Sequence, residues 1–226
     1  MKTVVMIVSA VCFTLLIKAQ TNPPSSAIAT KTIQAFSTNN LGELAVLVPQ
    51  FEKAHPEHVY TVFFKAYLAD VKDNNVNEAL RGYSQVIKLS PDIMEAYFFR
   101  CRIFYEKGMY EKALEDITNA IKYAELLIDR QINPAQGMSM KAQYLHQAGR
   151  FNESVSYLDS ILKKYPMTDY LWLTLGDIYK KEGQTDEALN CYLKTRQIKI
   201  QKGANMNDKD IQFIDNKIRE TKQNAT

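Results

Sequence analysis

The chain has 226 residues, with 28 Lys+Arg against 25 Asp+Glu and a formal charge of +3. Its first nineteen residues carry two of those bases, so the remainder is nearly neutral, which argues against an electrostatically driven nucleic-acid binder. Only one apolar run stands out, and at about 14 residues it falls short of the roughly 20 needed to span a membrane.

That run opens the chain. Lys2 precedes an uncharged stretch from Thr3 to Ile17, followed by Lys18-Ala19-Gln20. A charged start, a short apolar core and a small residue at the cut have the pattern of a cleaved signal peptide over 1–19. The expectation is export to a periplasmic or extracellular location, with no integral membrane segment left after cleavage. Cys12 would leave with the leader, and the two remaining cysteines, Cys101 and Cys191, make no disulfide framework. Residues 20–26, rich in Pro and Ser, read as a flexible tether. Over 27–58 the apolar residues Ile28, Ile33 and Phe36, then Leu41, Leu44, Val48 and Phe51, predict a degenerate capping hairpin. Pro49 is expected to kink or split its second helix.

From residue 60 onward the chain repeats itself. Trp172, Leu175, Gly176, Tyr179, Ala188 and Tyr192 form one copy. Met138, Ala142, Leu145, Gly149, Ser154, Leu158 and Pro166 form the copy before it, with Gly149 standing 34 residues before Gly183. Tyr97, Cys101, Phe104, Gly108, Ala113, Ile117 and Ala120 form a third, and Phe63, Ala66, Ala79, Tyr83 and Pro91 a fourth. The copies span 60–93, 94–134, 135–168 and 169–202. Each predicts two helices with apolar side chains three and four apart, small residues where the helices meet, and a glycine where the first helix must end in a left-handed turn. The first copy has Asn74-Asn75 in place of that glycine. The second carries about seven extra residues, which predict a long helix from about Tyr110 to about Arg130 with Leu127 or Ile128 partly exposed. Such an insertion over 123–134 would offer a surface for self-association. Ile211, Ile214 and Ile218 then put one narrow apolar stripe on a polar helix over 207–222, as a terminal capping helix requires.

The motif W-x2-L-G-x2-Y with the later A-x3-F, repeated in phase, resembles the tetratricopeptide repeat. The resemblance implies an all-α fold, a right-handed α-solenoid of stacked helical hairpins. The leader and the Asn-, Lys- and Tyr-rich composition resemble those of Bacteroidetes envelope proteins.

The residues that could carry chemistry are few. His55-Pro56-Glu57-His58 has no third ligand at site-like spacing and reads as a loop with two imidazoles, so no metal is expected. His146 has no nucleophile partner and reads as polarity on a first helix. Phosphate loops, GxSxG, HExxH and CxxC are all absent from the sequence, so neither catalysis nor a cofactor is expected. The basic stretch Lys194, Arg196, Lys199 and Lys202 is followed by Asp208, Asp210 and Asp215 and reads as a solvated face. What remains is a binding surface for a protein or peptide. In the family that the repeats resemble, first helices line a groove. The positions in phase with it here are Phe64, Lys65, Phe98, Phe99, Arg102, Tyr105, Met140, Gln143, Tyr170 and Asp177. Aromatic residues and Arg are the types enriched at interaction hot spots, which singles out Phe98, Phe99, Arg102 and Tyr105. The expected function is a non-catalytic adaptor in cell-envelope assembly or secretion, or an accessory subunit of one enzyme.

Overall fold

The computed structural model describes residues 26–126 and 134–223. Among them are eleven α-helices and no strand. The leader, most of the tether and residues 127–133 of the insertion lie outside the described residues. The chain forms two compact units that divide at Pro134.

The first unit holds three hairpins. They are α1 (Ala27–Ser37) with α2 (Leu41–Ala54), α3 (Val59–Val71) with α4 (Val76–Leu89), and α5 (Met94–Glu106) with α6 (Tyr110–Leu126). Local chemistry sets their starts. Asn40 and Asn75 each accept the backbone N–H three residues on, and Glu43 and Glu78 at those positions accept the asparagine amide in return. This reciprocal N-cap satisfies donors that a helix start leaves open. Ser26 caps α1 in the simpler way, accepting from the Ala29 N–H.

The core of this unit is aromatic. Phe36, Phe51, Tyr60, Phe63, Phe64, Tyr67, Tyr83 and Phe99 are all buried within it. Their rings meet edge-on or tilted at centroid distances such as 4.8 Å for Phe36 with Tyr67 and 5.4 Å for Phe36 with Phe63. That geometry is the one the aromatic quadrupole favours. α3 and α4 cross closely at Ala66 and Gly82, where an added Cβ on Gly82 would come within 2.6 Å of the Ala66 methyl.

One expectation changes here. Pro49 neither splits nor ends its helix: α2 runs through it from Leu41 to Ala54. Leu44, Leu47, Val48 and Phe51 are buried on both sides of the proline and hold the helix to the core, and Gln50 Nε2 donates to the Val46 carbonyl beside the missing N–H. Asn74 adopts φ +52, the left-handed turn that Gly108 makes at +71 in the next hairpin. Asparagine is the commonest non-glycine residue in that region. In the long copy, α6 is described to Leu126 and is three residues longer than α4. The rest of the predicted extension, with Leu127 and Ile128, falls outside the described residues.

The second unit holds α7 (Ala135–Gln147) with α8 (Phe151–Lys164), α9 (Asp169–Lys181) with α10 (Thr185–Gln201), and a last helix, α11 (Lys209–Gln223). α7 also meets α9, so successive first helices pack side by side. Gly176 lets α9 and α10 close together, since a Cβ there would lie 2.7 Å from the Tyr192 ring. α11 packs on α10 through Ile211, Ile214 and Ile218, which are buried as the stripe predicts. Lys217 and Glu220 of α11 reach Asp177 and Lys180 of α9, so α11 occupies the place of one more first helix.

Candidate partner-binding faces

The hot-spot cluster expected on α5 is divided between core and surface. Phe99 is 3% exposed and stacks on Tyr83 at 5.8 Å, and Phe64 is fully buried between Phe36, Phe51 and Tyr60. Neither ring is available to a partner, which corrects the sequence reading for both. The face of α3 that carries Phe64 meets another hairpin, because α1 and α2 pack against it, and only Lys65 on this helix stays exposed. The phase rule assumes a first helix with one side open. Phe98 is half-buried, its ring perpendicular to Phe99 at 6.0 Å. Tyr105 is half-buried beside Tyr110.

Arg102 is occupied within the unit. One Nη donates to Asp70 on α3 and the other to Glu106 at 2.9 Å. Asp70 also accepts from the Tyr83 hydroxyl at 3.1 Å. Burial works against the guanidinium charge, but the hydrogen bond and charge of Asp70 outweigh it and hold the Arg102 pKa above its ordinary value. Burial first, and Asp70 second, push the Tyr67 phenol up to about 12. The Arg102 Nε is buried without a hydrogen-bond partner. This network ties the second hairpin to the third. A second tie lies nearby, where Arg100 holds Asp116 through two hydrogen bonds of 2.7 and 2.8 Å and reaches Ser84 on α4 at 2.9 Å. Lys65 stands elsewhere. It pairs with Glu52 of α2 at 2.8 Å and lines a cavity of about 420 Å³ between α2, α3 and α4, together with Arg81 and Gly82.

The second unit keeps more of its predicted face open. Ser139 on α7 and Thr174 on α9 share a buried hydrogen bond of 2.7 Å, and Gln143 donates to Ser139 at 3.3 Å. Met140 is buried. Gln143 is exposed, and Tyr170 is 44% exposed. Asp177 accepts from the Tyr192 hydroxyl and from Lys217 Nζ, both at 2.8 Å. The ammonium of Lys217 also lies over the Phe213 ring at 5.1 Å. Phe213 itself is 52% exposed. The sequence reading missed Phe213 and Lys217, having treated their helix only as a cap. The signal was present in the spacing: Phe213 falls between Ile211 and Ile214, off the buried stripe, and stands four residues before Lys217 on the same helix face.

The histidines have structural roles. His58 Nδ1 accepts from the Tyr60 N–H as the N-cap of α3, and His55 Nε2 lies 2.8 Å from Ser26 Oγ. His146 pairs with Glu182 at 2.8 Å. Cys101 and Cys191 are buried thiols, Cys101 Sγ donating to the Phe98 carbonyl, and burial first, then Asp159, pushes Cys191 up to about 12. Among the described residues no three His, Cys, Asp or Glu side chains group as a metal site. The basic stretch on α10 is met by acids: Arg196 by Asp215, Lys199 by Asp169 and Asp210, and Lys202 by Asp169.

Models of the tetratricopeptide repeat match residues 64–128 and 170–194. The chain contains tetratricopeptide repeats. The matched segments fall on the hairpins α3/α4, α5/α6 and α9/α10. A segment of the chain is 23% identical over 101 residues to DnaJ homolog subfamily C member 3 of Gallus gallus, covering 42% of this chain and 20% of that protein. The chain therefore spans about a fifth of the length of that relative. Among solved structures, MamA is similar with a TM-score of 0.57 at 15% identity, over 76% of this chain and 95% of that one. YrrB, described as a TPR protein with an unusual peptide-binding site, is similar with a TM-score of 0.50 at 17% identity, over 67% of this chain and 74% of that one. At these identities the likeness is one of fold. A repeat scaffold of this kind is suited to protein–protein interaction.

Proposed function

We propose that the protein is a non-catalytic adaptor whose first-helix face in the second unit holds a protein or peptide partner. One observation carries the reading. Tyr170 and Phe213 are exposed aromatic rings at the ends of a face whose intervening polar groups, Ser139, Thr174, Asp177 and Lys217, already satisfy one another. Exposed aromatics beside satisfied polar groups are the anchors from which interfaces gain most of their free energy. The peptide-binding description of YrrB, a protein of like fold, supports the same use. The leader-like residues 1–19 support a place outside the cytoplasm, in envelope assembly or secretion.

The test is a Tyr170→Ala, Phe213→Ala double variant expressed in the native host. Partners cross-linked to the wild-type protein should be lost from the variant, with binding weaker by about 2 kcal/mol or more, while the helical circular dichroism is kept. Full retention of the same partners by a folded variant would overturn the assignment of this face.

A further inference from the structure

Ten large apolar side chains among the described residues are exposed by 38% or more. Five of them, Tyr165, Met167, Tyr170, Ile200 and Met206, collect at one end of the second unit. Antiparallel pairing explains why. It brings the α8–α9 turn, the C-terminus of α10 and the N-terminus of α11 together. Asp169 accepts from Lys202 at 2.6 Å and pairs with Lys199 at 3.1 Å, and Lys199 reaches Asp210 at 2.8 Å. Each of the five apolar residues lies within four positions of a member of that ion-pair cluster. Trp172 fixes the turn by donating its indole N–H to the Pro166 carbonyl at 2.9 Å.

The charge at this end is unequal. Lys163, Lys164, Lys199, Lys202 and Lys209 stand against Asp169, Asp208 and Asp210. All three aspartates are engaged, Asp208 by the Asn205 N–H at 2.7 Å. Lys163 and Lys209 make no ion pair among the described residues, and Lys164 extends over the Tyr165 ring at 5.0 Å.

We infer that this end of the second unit docks on an anionic lipid surface. The two most exposed of the five, Met206 at 58% and Met167 at 49%, stand on turns, and the Met206 Sδ accepts from Arg196 at 3.1 Å while the residue stays exposed. Flexible thioethers at turn tips can enter disordered acyl chains without a matched surface. Tyrosines are suited to the water–lipid boundary, and lysine stems reach past apolar surface to headgroups. The surface potential of an anionic bilayer attracts Lys163 and Lys209, which have no acid to pair with among the described residues. No helix among the described residues is long and apolar enough to cross the membrane, so the contact is peripheral. A protein partner carrying acidic and apolar side chains is the competing occupant. It would need a shape complementary to several separate turns.

Trp172 reads out the proposal, because it is the chain's single tryptophan and lies at this end. The full chain is mixed with vesicles of phosphatidylglycerol and phosphatidylcholine whose acyl chains are brominated. Trp172 emission should fall at least twofold. The quenching should be absent with phosphatidylcholine alone, and should weaken about fivefold as salt rises from about 50 to about 300 mM. The apolar run 3–17 holds no tryptophan, so its own membrane affinity leaves Trp172 unquenched unless this end reaches the acyl chains. A Met167→Asp, Met206→Asp double variant changes two exposed positions. It should keep its circular dichroism and lose the quenching. Leu89→Asp, an exposed change in the first unit, should quench as wild type. Absence of quenching with the anionic vesicles, equal quenching by neutral vesicles, or undiminished quenching in the double variant would each overturn the proposal. A variant that loses a bound protein while its quenching is unchanged assigns the patch to protein instead.

Discussion

Replacing Asp70 by Ala should cost about 2–4 kcal/mol of stability in the first unit. The carboxylate is the acceptor for two groups that cannot reach water freely: the Tyr83 hydroxyl, whose side chain is fully buried, and one Nη of Arg102. Leaving a buried hydroxyl without its partner costs about 1–2 kcal/mol. Removing one member of a fully buried ion pair costs about 3–5 kcal/mol. Here that range is reduced to about 1–2 kcal/mol, because the Arg102 side chain is 22% exposed and its other Nη keeps Glu106 at 2.9 Å. The assay is hydrogen exchange in α3, α4 and α5 followed by mass spectrometry, since a chain of two units need not unfold in one step. Asp70→Asn, which keeps an acceptor for Tyr83, should lose less than Asp70→Ala. Adding Arg102→Met to Asp70→Ala should recover up to about half of the loss, because the uncompensated charge is then gone while the Tyr83 hydroxyl stays without its acceptor. A cost below about 1 kcal/mol for Asp70→Ala, or no recovery in the double variant, would refute the view that Arg102 braces the hairpins.

Three further outcomes follow from the same packing. Gly82→Ala should destabilise the first unit by about 1–3 kcal/mol in urea unfolding, despite alanine's better helix propensity, because the new Cβ would lie 2.6 Å from the Ala66 methyl and 3.3 Å from its Cα. Burial first, with Asp92 adding to it, pushes the Glu95 carboxyl from 4.5 up to about 7. The native state then holds this proton over a range where the unfolded chain has released it. Stability therefore falls as pH rises from about 4.5 to about 7, and Glu95→Gln should flatten that slope and gain about 1–3 kcal/mol above pH 7, read from urea midpoints. Asn74→Gly should change stability by less than about 0.5 kcal/mol, whereas Asn74→Val should cost about 1–2 kcal/mol in thermal unfolding, because φ is +52 there.

The helices were legible because their signals are local. Glycine at the end of α5, α7 and α9, the small residues Ala113, Ala142 and Ala188, and the three isoleucines of α11 each act through a conformational limit or a close approach that spacing alone reveals. Exposure on the candidate face was legible in part. Tyr170 and Gln143 are exposed as their phase implies, because α7 and α9 follow the regular pattern of neighbouring first helices. Phe64, Phe99 and Arg102 were misplaced because their environment is set by non-local partners. Phe36, Asp70 and Glu106 claim them, and the first two stand 28 to 63 residues away in the chain. Repeat phase cannot report whether a position is already taken by another hairpin. The expected split at Pro49 does not occur for a related reason, since buried Leu44, Leu47 and Val48 before it and Phe51 after it outweigh the hydrogen bond that proline removes.

The Phe36 ring touches Phe99 at a centroid distance of 6.3 Å, across the hairpin that lies between them in the sequence. In an ideal repeat array each repeat contacts only its neighbours, so a terminal repeat can fray while the rest stands. A contact that skips a hairpin removes that independence. Loss of α1 from the first unit would strip the same ring cluster that seats α5, and the first and third hairpins would fail together. The N-terminal hairpin is therefore less a dispensable cap than one wall of a shared chamber. A truncation made at the start of the first repeat, the natural choice from sequence, would cut through that chamber rather than beside it.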